Sequence, residues 1–224
     1  MSAPAFILEA ETSTFTATTP KTTAAFNILG RDVLVAYAMS ENSTTVLTIS
    51  NSGTALAWIQ QQVVAVSGFC WLSIWTHEVT QSRAGLTVSL ASGGTGSFGG
   101  DVLLVRDSAG VGASAKANAV GAAPTMNLTT TVPNSLVVVA NADFTAGSGA
   151  RTWRSNAGTL TETTYVVSAG LYTAYGGYHA DAGPVATYAV GLTAPSQTYS
   201  IAAIEVKGYT PPIIMTYWRV RLRG

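Results

Sequence analysis

The chain has 224 residues, of which 10% are charged, and its eleven basic and eleven acidic residues give a formal net charge of zero. This balance gives no electrostatic sign of a nucleic-acid partner, an apolar content of 47% excludes a disordered chain, and no apolar run is long enough for a membrane helix. The single cysteine, Cys70, excludes an internal disulfide.

Ordinary soluble domains are about one quarter charged, so this composition favours a subunit that buries much of its surface against other subunits. The N-terminal residues 1–5 lack the basic region and apolar stretch of a secretion signal. The sequence therefore predicts a protein made in the cytoplasm, without export and without membrane insertion.

Period-two alternation and β-branched residues predict short strands along the whole chain, and no window has helical spacing. The expected strands cover residues 6–9, 13–18, 32–40, 45–50, 58–66, 69–79, 86–90, 101–106, 126–131, 135–141, 161–168, 171–179, 185–193 and 198–206. Two hairpins are predicted, one from the segments 32–40 and 45–50, the other from 58–66 and 69–79.

Alternation in the segment 69–79 places Trp71, Ser73, Trp75 and His77 on one face of a strand. Strands at intervals of about 8–12 residues are typical of sandwiches and barrels, and no linker divides the chain. The sequence thus predicts an all-β protein whose residues 1–207 form a single β-sandwich domain of jelly-roll type.

Residues 208–224 are predicted to form an extended, arginine-rich C-terminal arm. Pro211 and Pro212 end the last strand because proline cannot donate to a β-ladder. The arm is either a surface extension of its own chain, a strand added to a neighbouring subunit, or a nucleic-acid contact. We predict subunit contact, rather than nucleic acid, for an alternating group of apolar and basic residues: Trp218, Arg219, Val220, Arg221, Leu222 and Arg223.

The search for catalytic residues finds no constellation at a meaningful spacing. No G-x-S-x-G motif is present, and His77 shares its predicted face with two tryptophans, which favours packing over base catalysis. His179 and Asp181 could supply two metal ligands, but no third follows. The sequence predicts a protein that is not an enzyme and has no cofactor or metal site.

Acidic residues are scattered, and none of Asp101, Asp107, Asp143 and Asp181 has an acidic neighbour that would suggest a calcium loop. A glycosidase needs two facing carboxylates, and only the fold can bring such a pair together. A glycan-degrading enzyme therefore stays as an alternative that the sequence does not favour.

Three tyrosines lie in the glycine-bounded segment 172–178, and they are candidates for stacking on a sugar. Core or interface packing explains tyrosines equally well. A host cell-wall glycan-binding module is thus an alternative function, with Tyr172, Tyr175 and Tyr178 as the predicted contacts.

Several strand runs are similar to the β-sandwich domain of minor tail proteins of actinobacterial tailed phages. These runs are FCWLSIW (69–75), LTVSL (86–90), DVLLVR (101–106), GVGA (110–113), SLVVVAN (135–141) and YSIAAIEV (199–206), and the resemblance covers roughly residues 27–207. It implies a structural or host-contacting role in the virion and no catalytic residues. The chain differs in lacking collagen-like repeats and a hydrolase module and in carrying the arginine-rich arm.

The sequence therefore predicts a non-enzymatic virion structural protein, a minor tail or tail-tip component in the phage tail rather than the capsid. Its expected partners are other virion proteins and copies of itself, with a trimer as one candidate state. The alternatives are a capsid decoration or head-fibre protein and the glycan-binding module described above.

Overall fold

A computed structural model describes residues 5–16, 19–41, 46–66, 70–94, 96–143, 151–168 and 172–208, with the backbone alone described for 5–16 and 167–168. Within these ranges the regular structure is β-strand, so the predicted all-β class is confirmed. The strands are β1 (Ala5–Thr16), β2 (Lys21–Thr22), β3 (Phe26–Ile28), β4 (Val33–Ser40), β5 (Leu47–Asn51), β6 (Ile59–Ala65), β7 (Trp71–Glu78), β8 (Arg83–Leu86), β9 (Val88–Ser92), β10 (Phe98–Arg106), β11 (Ser108–Ala122), β12 (Thr125–Thr129), β13 (Leu136–Asp143), β14 (Thr152–Trp153), β15 (Leu160–Ser168), β16 (Tyr172–His179), β17 (Thr187–Ala194) and β18 (Gln197–Gly208).

Two five-stranded antiparallel sheets form the centre of the molecule. The first large sheet has the order β1-β10-β4-β7-β6, and the second has the order β11-β18-β13-β16-β15. Alternate side chains from both sheets, such as Val35 and Val138, form a shared inter-sheet core. The two large sheets therefore pack face to face.

Smaller sheets cover the outer faces of the large ones. The sheets β2-β9-β5 and β3-β8 lie over the first large sheet, where Leu34 and Leu90 belong to one outer core. The sheet β12-β17-β14 lies over the second, where Val139 and Val190 belong to another. Because both faces of the central strands β4 and β13 are covered, all their residues are buried.

The second half of the chain repeats the strand order of the first. The two strand orders correspond strand for strand: β1-β10-β4-β7-β6 in the first half and β11-β18-β13-β16-β15 in the second. Each half also adds a small cover sheet that contains its penultimate strand, β9 or β17. The central strands β4 and β13 are both eight residues long, which puts Val33 at the position of Leu136. Each half is thus one copy of a repeated unit.

Edges of the two large sheets meet in a symmetric way, since β6 contacts β11 on one side and β1 contacts β15 on the other. Lys116 donates from Nζ to the carbonyl oxygen of Val63 at 2.7 Å, and Asn118 donates from Nδ2 to that of Ala65 at 2.8 Å. Side chains of β11 therefore satisfy outward carbonyls of β6, which protects that edge from further strand pairing.

A buried polar bridge joins the halves within the inter-sheet core. The Tyr37 hydroxyl donates to Oδ2 of Asp101 at 2.5 Å in its own half. It also lies 2.8 Å and 2.9 Å from the hydroxyls of Thr163 and Thr164 in the other half. A Cβ placed on Gly176 would lie 2.1 Å from the Tyr37 hydroxyl oxygen. The glycine thus makes the space that the tyrosine occupies.

Strand pairing confirms one predicted hairpin and corrects the other. Strands β6 and β7 pair directly, as expected. In contrast, β4 pairs with β7 and β10, whereas β5 pairs with β9 in the cover sheet, so the hairpin predicted from segments 32–40 and 45–50 is wrong. The chain leaves the large sheet after β4 because both neighbouring positions are taken by other strands.

The predicted faces of β7 are confirmed. Trp71 and Trp75 contact the outer core, whereas Leu72 and Ile74 belong to the inter-sheet core. The long strand β11 had no counterpart among the predicted strands. Of the predicted arm 208–224, Gly208 is the last residue of β18, and residues 209–224 lie outside the described residues.

Candidate functional site

Polar side chains gather on the outer face of the second large sheet, at one end of its central strand. In β13 the residues Ala140 and Ala142 face the inter-sheet core, so Asn141 and Asp143 face the opposite, outer side. Asn141 pairs with Tyr175 of β16, and Asp143 pairs with Thr173. The neighbouring strands β13 and β16 therefore contribute to one polar patch.

The buried polar cluster consists of Asn141, Asp143, Thr173 and Gln197. Asn141 and Asp143 have no exposed surface, and Gln197 at the start of β18 is 2% exposed. Their side-chain oxygen and nitrogen atoms make no hydrogen bond of ordinary length and angle. Most buried polar groups in folded proteins are satisfied, so a cluster of unsatisfied ones marks a place where a further polar species is expected.

Electrostatics set Asp143 apart from the other buried carboxylates. Burial raises its pKa to about 7, and weaker hydrogen-bonding interactions with Tyr175 and Thr173 only partly oppose burial. Burial and the nearby Asp143 together raise the pKa of Tyr175. The ion pairs found among the described residues, Arg106 with Asp32 and Arg151 with Glu162, do not involve Asp143. Asp143 therefore has no ion-pair partner among the described residues.

An aromatic and ionic rim borders the cluster. Arg151 donates from Nε to Oε2 of Glu162 at 2.5 Å, and the indole nitrogen of Trp153 donates to the same oxygen at 2.8 Å. The Arg151 guanidinium carbon lies 3.3 Å from the ring centroid of Tyr165. The ring of Tyr175 lies 5.6 Å from that of Tyr165 and 6.3 Å from that of Trp153. The rim is thus a connected set of side chains that contacts the cluster through Tyr175.

The first half has no such cluster at the equivalent place. The sixth and eighth residues of β4 are Ala38 and Ser40, where β13 has Asn141 and Asp143. Phe98 closes this end of the first half, with the ammonium group of Lys21 5.1 Å from its ring centroid. The first half therefore folds with an alanine and a serine where the second half has an amide and a carboxylate.

Two clefts lie elsewhere on the surface. One, of about 300 Å³, includes His77, Gln81 and Arg83. Arg83 donates from Nη1 to the carbonyl oxygen of Thr54 at 2.7 Å, and His77 Nδ1 lies 3.1 Å from that of Ala57. These side chains hold the cleft's own loop in place.

The other cleft, of about 320 Å³, lies where the two halves join, beside Asp32 and Glu78. Asp32 is paired with Arg106, and Glu78 accepts the backbone N–H of Val111. Neither cleft brings together unsatisfied polar groups of the kind found around Asp143.

The three tyrosines predicted to contact glycan do not share one outward face. Tyr172 and Tyr175 are 6% and 2% exposed, and Tyr178 is half-buried against the inter-sheet core. Tyr175 borders the buried polar cluster, so it alone of the three lies at the candidate site. The predicted subunit contacts from Trp218 to Arg223 lie outside the described residues.

His179 is buried, and its Nδ1 lies 2.9 Å from the carbonyl oxygen of Gly158. Asp181 accepts the backbone N–H of Gly183 through Oδ1 at 2.8 Å. In the part of the chain that the structure describes, no three His, Cys, Asp or Glu side chains gather into a metal-binding group. His179 and Asp181 are therefore not joined by a third ligand into a metal site within the described residues.

Sequence reasoning missed Asn141, Thr173 and Gln197 as site residues. The available signal was local: β13 is apolar until it reaches Asn141 and Asp143, two polar residues on one face. Their partners on β16 and β18 are far away in the chain, so sequence spacing could not associate them.

Comparison with family models, curated proteins and solved structures finds no match to the chain. No helix in the described ranges is long and apolar enough to cross a membrane. The function is accordingly inferred from the residues and their geometry.

Proposed function

We propose that the protein is a non-enzymatic structural subunit of a phage virion, a minor tail or tail-tip component. It assembles through strand edges and extended termini with other virion proteins and copies of itself, with a trimer as one arrangement. The strand runs that resemble minor tail proteins support the virion assignment. Pairing of first with last strands in each half also supports a jelly-roll type for the repeated unit.

The distribution of charge carries this proposal. Well-exposed charged side chains among the described residues are few: Arg31, Glu78, Asp107, Lys116 and Asp181. As many charged side chains are buried: Lys21, Asp32, Asp101, Asp143 and Glu205. Among the described residues the solvent-facing surface is therefore as poor in charge as the composition indicates.

A surface with so few charges provides little repulsion between copies, and proteins near zero net charge associate readily. Exposed apolar residues add contact area at separate places, among them Val46, Ile59 and Val120. Val120 is 72% exposed near the end of β11, in an edge strand of the second large sheet. These features favour a surface that is covered in an assembly.

Two measurements test the proposal. Sedimentation velocity of the full chain over a wide concentration range is expected to show a mass that rises with concentration, and Val120→Lys is expected to weaken association more than Val120→Ala. Mass spectrometry of gradient-purified virions is expected to detect the chain, and gold-labelled antibodies should mark the tail. A dispersed monomer at high concentration, or absence from virions, would refute the structural role, and capsid labelling would identify a decoration or head-fibre protein instead.

A further inference from the structure

We propose that the buried polar cluster of Asn141, Asp143, Thr173 and Gln197 is a binding site for a divalent cation of the calcium type. The site is independent of the virion role, because it follows from the second half of the fold alone. The ligands are side-chain oxygens: the carboxylate of Asp143, the amide carbonyls of Asn141 and Gln197 and the hydroxyl of Thr173.

Strand register places these oxygens around Asp143. Thr173 is directly opposite Asp143 in the β13–β16 pair, and side chains at such positions have Cβ atoms about 4.5–5.5 Å apart. Asn141 lies two residues earlier on the same face of β13. Gln197 lies two residues before Tyr199, the partner of Asp143 on β18. The other three side chains thus lie around the carboxylate of Asp143, and the cluster draws on the three strands β13, β16 and β18.

Charge compensation is the second argument. A carboxylate removed from water is costly unless it is paired or hydrogen-bonded, and neither oxygen of Asp143 accepts a hydrogen bond of ordinary length and angle. A bound cation would supply the missing positive charge.

The donor set selects the kind of cation. Every ligand is a hard oxygen atom, which suits calcium and magnesium rather than metals that prefer imidazole or thiolate. Calcium accepts carboxylate, amide carbonyl and water oxygens in flexible geometry, whereas magnesium demands a near-ideal octahedron. A single carboxylate predicts weak binding, with a dissociation constant of about 10⁻⁴–10⁻³ M as in low-affinity calcium modules.

The two repeats provide an internal comparison. Ala38 and Ser40 stand in the first half where Asn141 and Asp143 stand in the second. Because the first half folds with small side chains there, the polar cluster is not a requirement of the fold. A ligand-binding role gives these side chains a reason to be polar.

Terbium luminescence tests the site directly, because Tyr175 and Trp153 lie close enough to the cluster to sensitise a bound lanthanide. Protein treated with chelator and then titrated with Tb³⁺ under excitation of the aromatic side chains is expected to give saturable emission that Ca²⁺ competes away. Asp143→Asn should lower the affinity by at least about tenfold, since it removes the only charged ligand. Asp107→Asn, an exposed aspartate at the opposite end of the sheet, is the matched control.

A gain-of-function variant separates ligation from structural damage. Asn141→Asp adds a second carboxylate and should raise the affinity for Ca²⁺ by about tenfold or more, because ligand charge tunes calcium sites. The thermal unfolding midpoint of the wild type should rise with Ca²⁺, and Asp143→Asn should lose that response while keeping the folded circular dichroism spectrum. No saturable emission in the wild type, equal loss in Asp107→Asn, or unchanged affinity in both Asp143→Asn and Asn141→Asp would overturn the site.

Discussion

Glu205 provides the sharpest test of how the second half is held together. Its carboxylate is fully buried. Oε1 accepts the backbone N–H groups of Thr131 and Val132 at 2.8 Å and 3.2 Å and the hydroxyl of Ser135 at 2.7 Å. Oε2 accepts the backbone N–H of Ala113 and the Thr131 hydroxyl, each at 2.8 Å. One side chain thus ties β11 and the turn before β13 to β18.

The substitution Glu205→Gln keeps the shape of the side chain and removes its charge. Its new NH₂ group faces backbone N–H donors on at least one side, so one buried donor loses its acceptor at a cost of about 1–3 kcal/mol. The other bonds lose their charge-assisted character, and we expect a total loss of about 2–4 kcal/mol in unfolding free energy. That is a large fraction of the roughly 5–15 kcal/mol that stabilises a typical domain.

The matched control is Glu78→Gln. Glu78 also accepts a backbone N–H from β11, that of Val111 at 2.7 Å, but it is exposed. Water can replace the lost interaction there, so we expect a change within about 0.5 kcal/mol. Urea denaturation followed by tryptophan fluorescence measures both variants.

The pH dependence of the Glu205 effect follows from the pKa of this carboxyl. Burial raises the pKa, but the hydrogen bonds from Ala113, Ser135 and Thr131 outweigh burial and hold it below the ordinary value of 4.5. The stabilisation is therefore present above pH 4.5 and is lost as the pH falls through the folded-state pKa. The gap between wild type and Glu205→Gln should narrow on acidification, and equal losses in Glu205→Gln and Glu78→Gln at neutral pH would refute this reasoning.

Two further outcomes are expected. Gly176→Ala should lower the unfolding free energy by at least about 1–3 kcal/mol through overpacking, because its Cβ would overlap the Tyr37 ring. Gly30→Ala is the control, because its Cβ has room, and it should have little effect in the same urea assay. Combining Gly176→Ala with Tyr37→Leu should reduce the loss of stability caused by Gly176→Ala. Additive losses in the double variant would contradict the contact between Gly176 and Tyr37. Burial lowers the pKa of His179 below 6.5 despite its bond to Gly158, so the wild type should lose stability relative to His179→Asn as the pH falls below 6.5. A pH-independent difference between the two in urea titrations would show that His179 is not buried in its neutral form.

The pattern of neighbouring residues in the sequence was sufficient to place some strands and insufficient to predict others. β7 was placed on its correct faces because the period-two geometry of a strand separates Trp71 and Trp75 from Leu72 and Ile74. β11 was missed because alanine, glycine and serine fill it, and these residues carry little strand preference. Its conformation is imposed by pairing with β18 along its length, which a local reading of the sequence does not contain.

The wrong hairpin has a related cause. β4 is buried on both faces, and a strand of this kind belongs in a middle layer with neighbours on both sides. Its neighbours are β7 and β10, so β5 joins the cover sheet although it follows β4 closely in the sequence. The residue types between the two segments could not distinguish pairing of β5 with β4 from pairing of β5 with β9. The polar cluster was missed for the same reason, because its residues meet only across strands.

Differences between the repeats explain why two similar halves form one specific structure. Tyr37 pairs with Ile74 in the first large sheet, and the equivalent pair in the second is Ala140 with Gly176. Two large pairs would overfill the inter-sheet core, and two small pairs would leave a cavity. The first half therefore provides the large side chains at this place in the inter-sheet core, and the second half provides the small residues that leave room for them.

The same division extends to the outer faces. The first half closes its end with Phe98 and small residues, whereas the second buries Asn141, Asp143, Thr173 and Gln197 there. Buried polar groups without hydrogen bonds reduce stability, so this cluster lowers the contribution of the second half to the folding free energy. Conservative apolar truncations in the outer core of the first half should destabilise the whole chain. In the second half, a bound cation can offset the free energy that burial of the polar cluster costs.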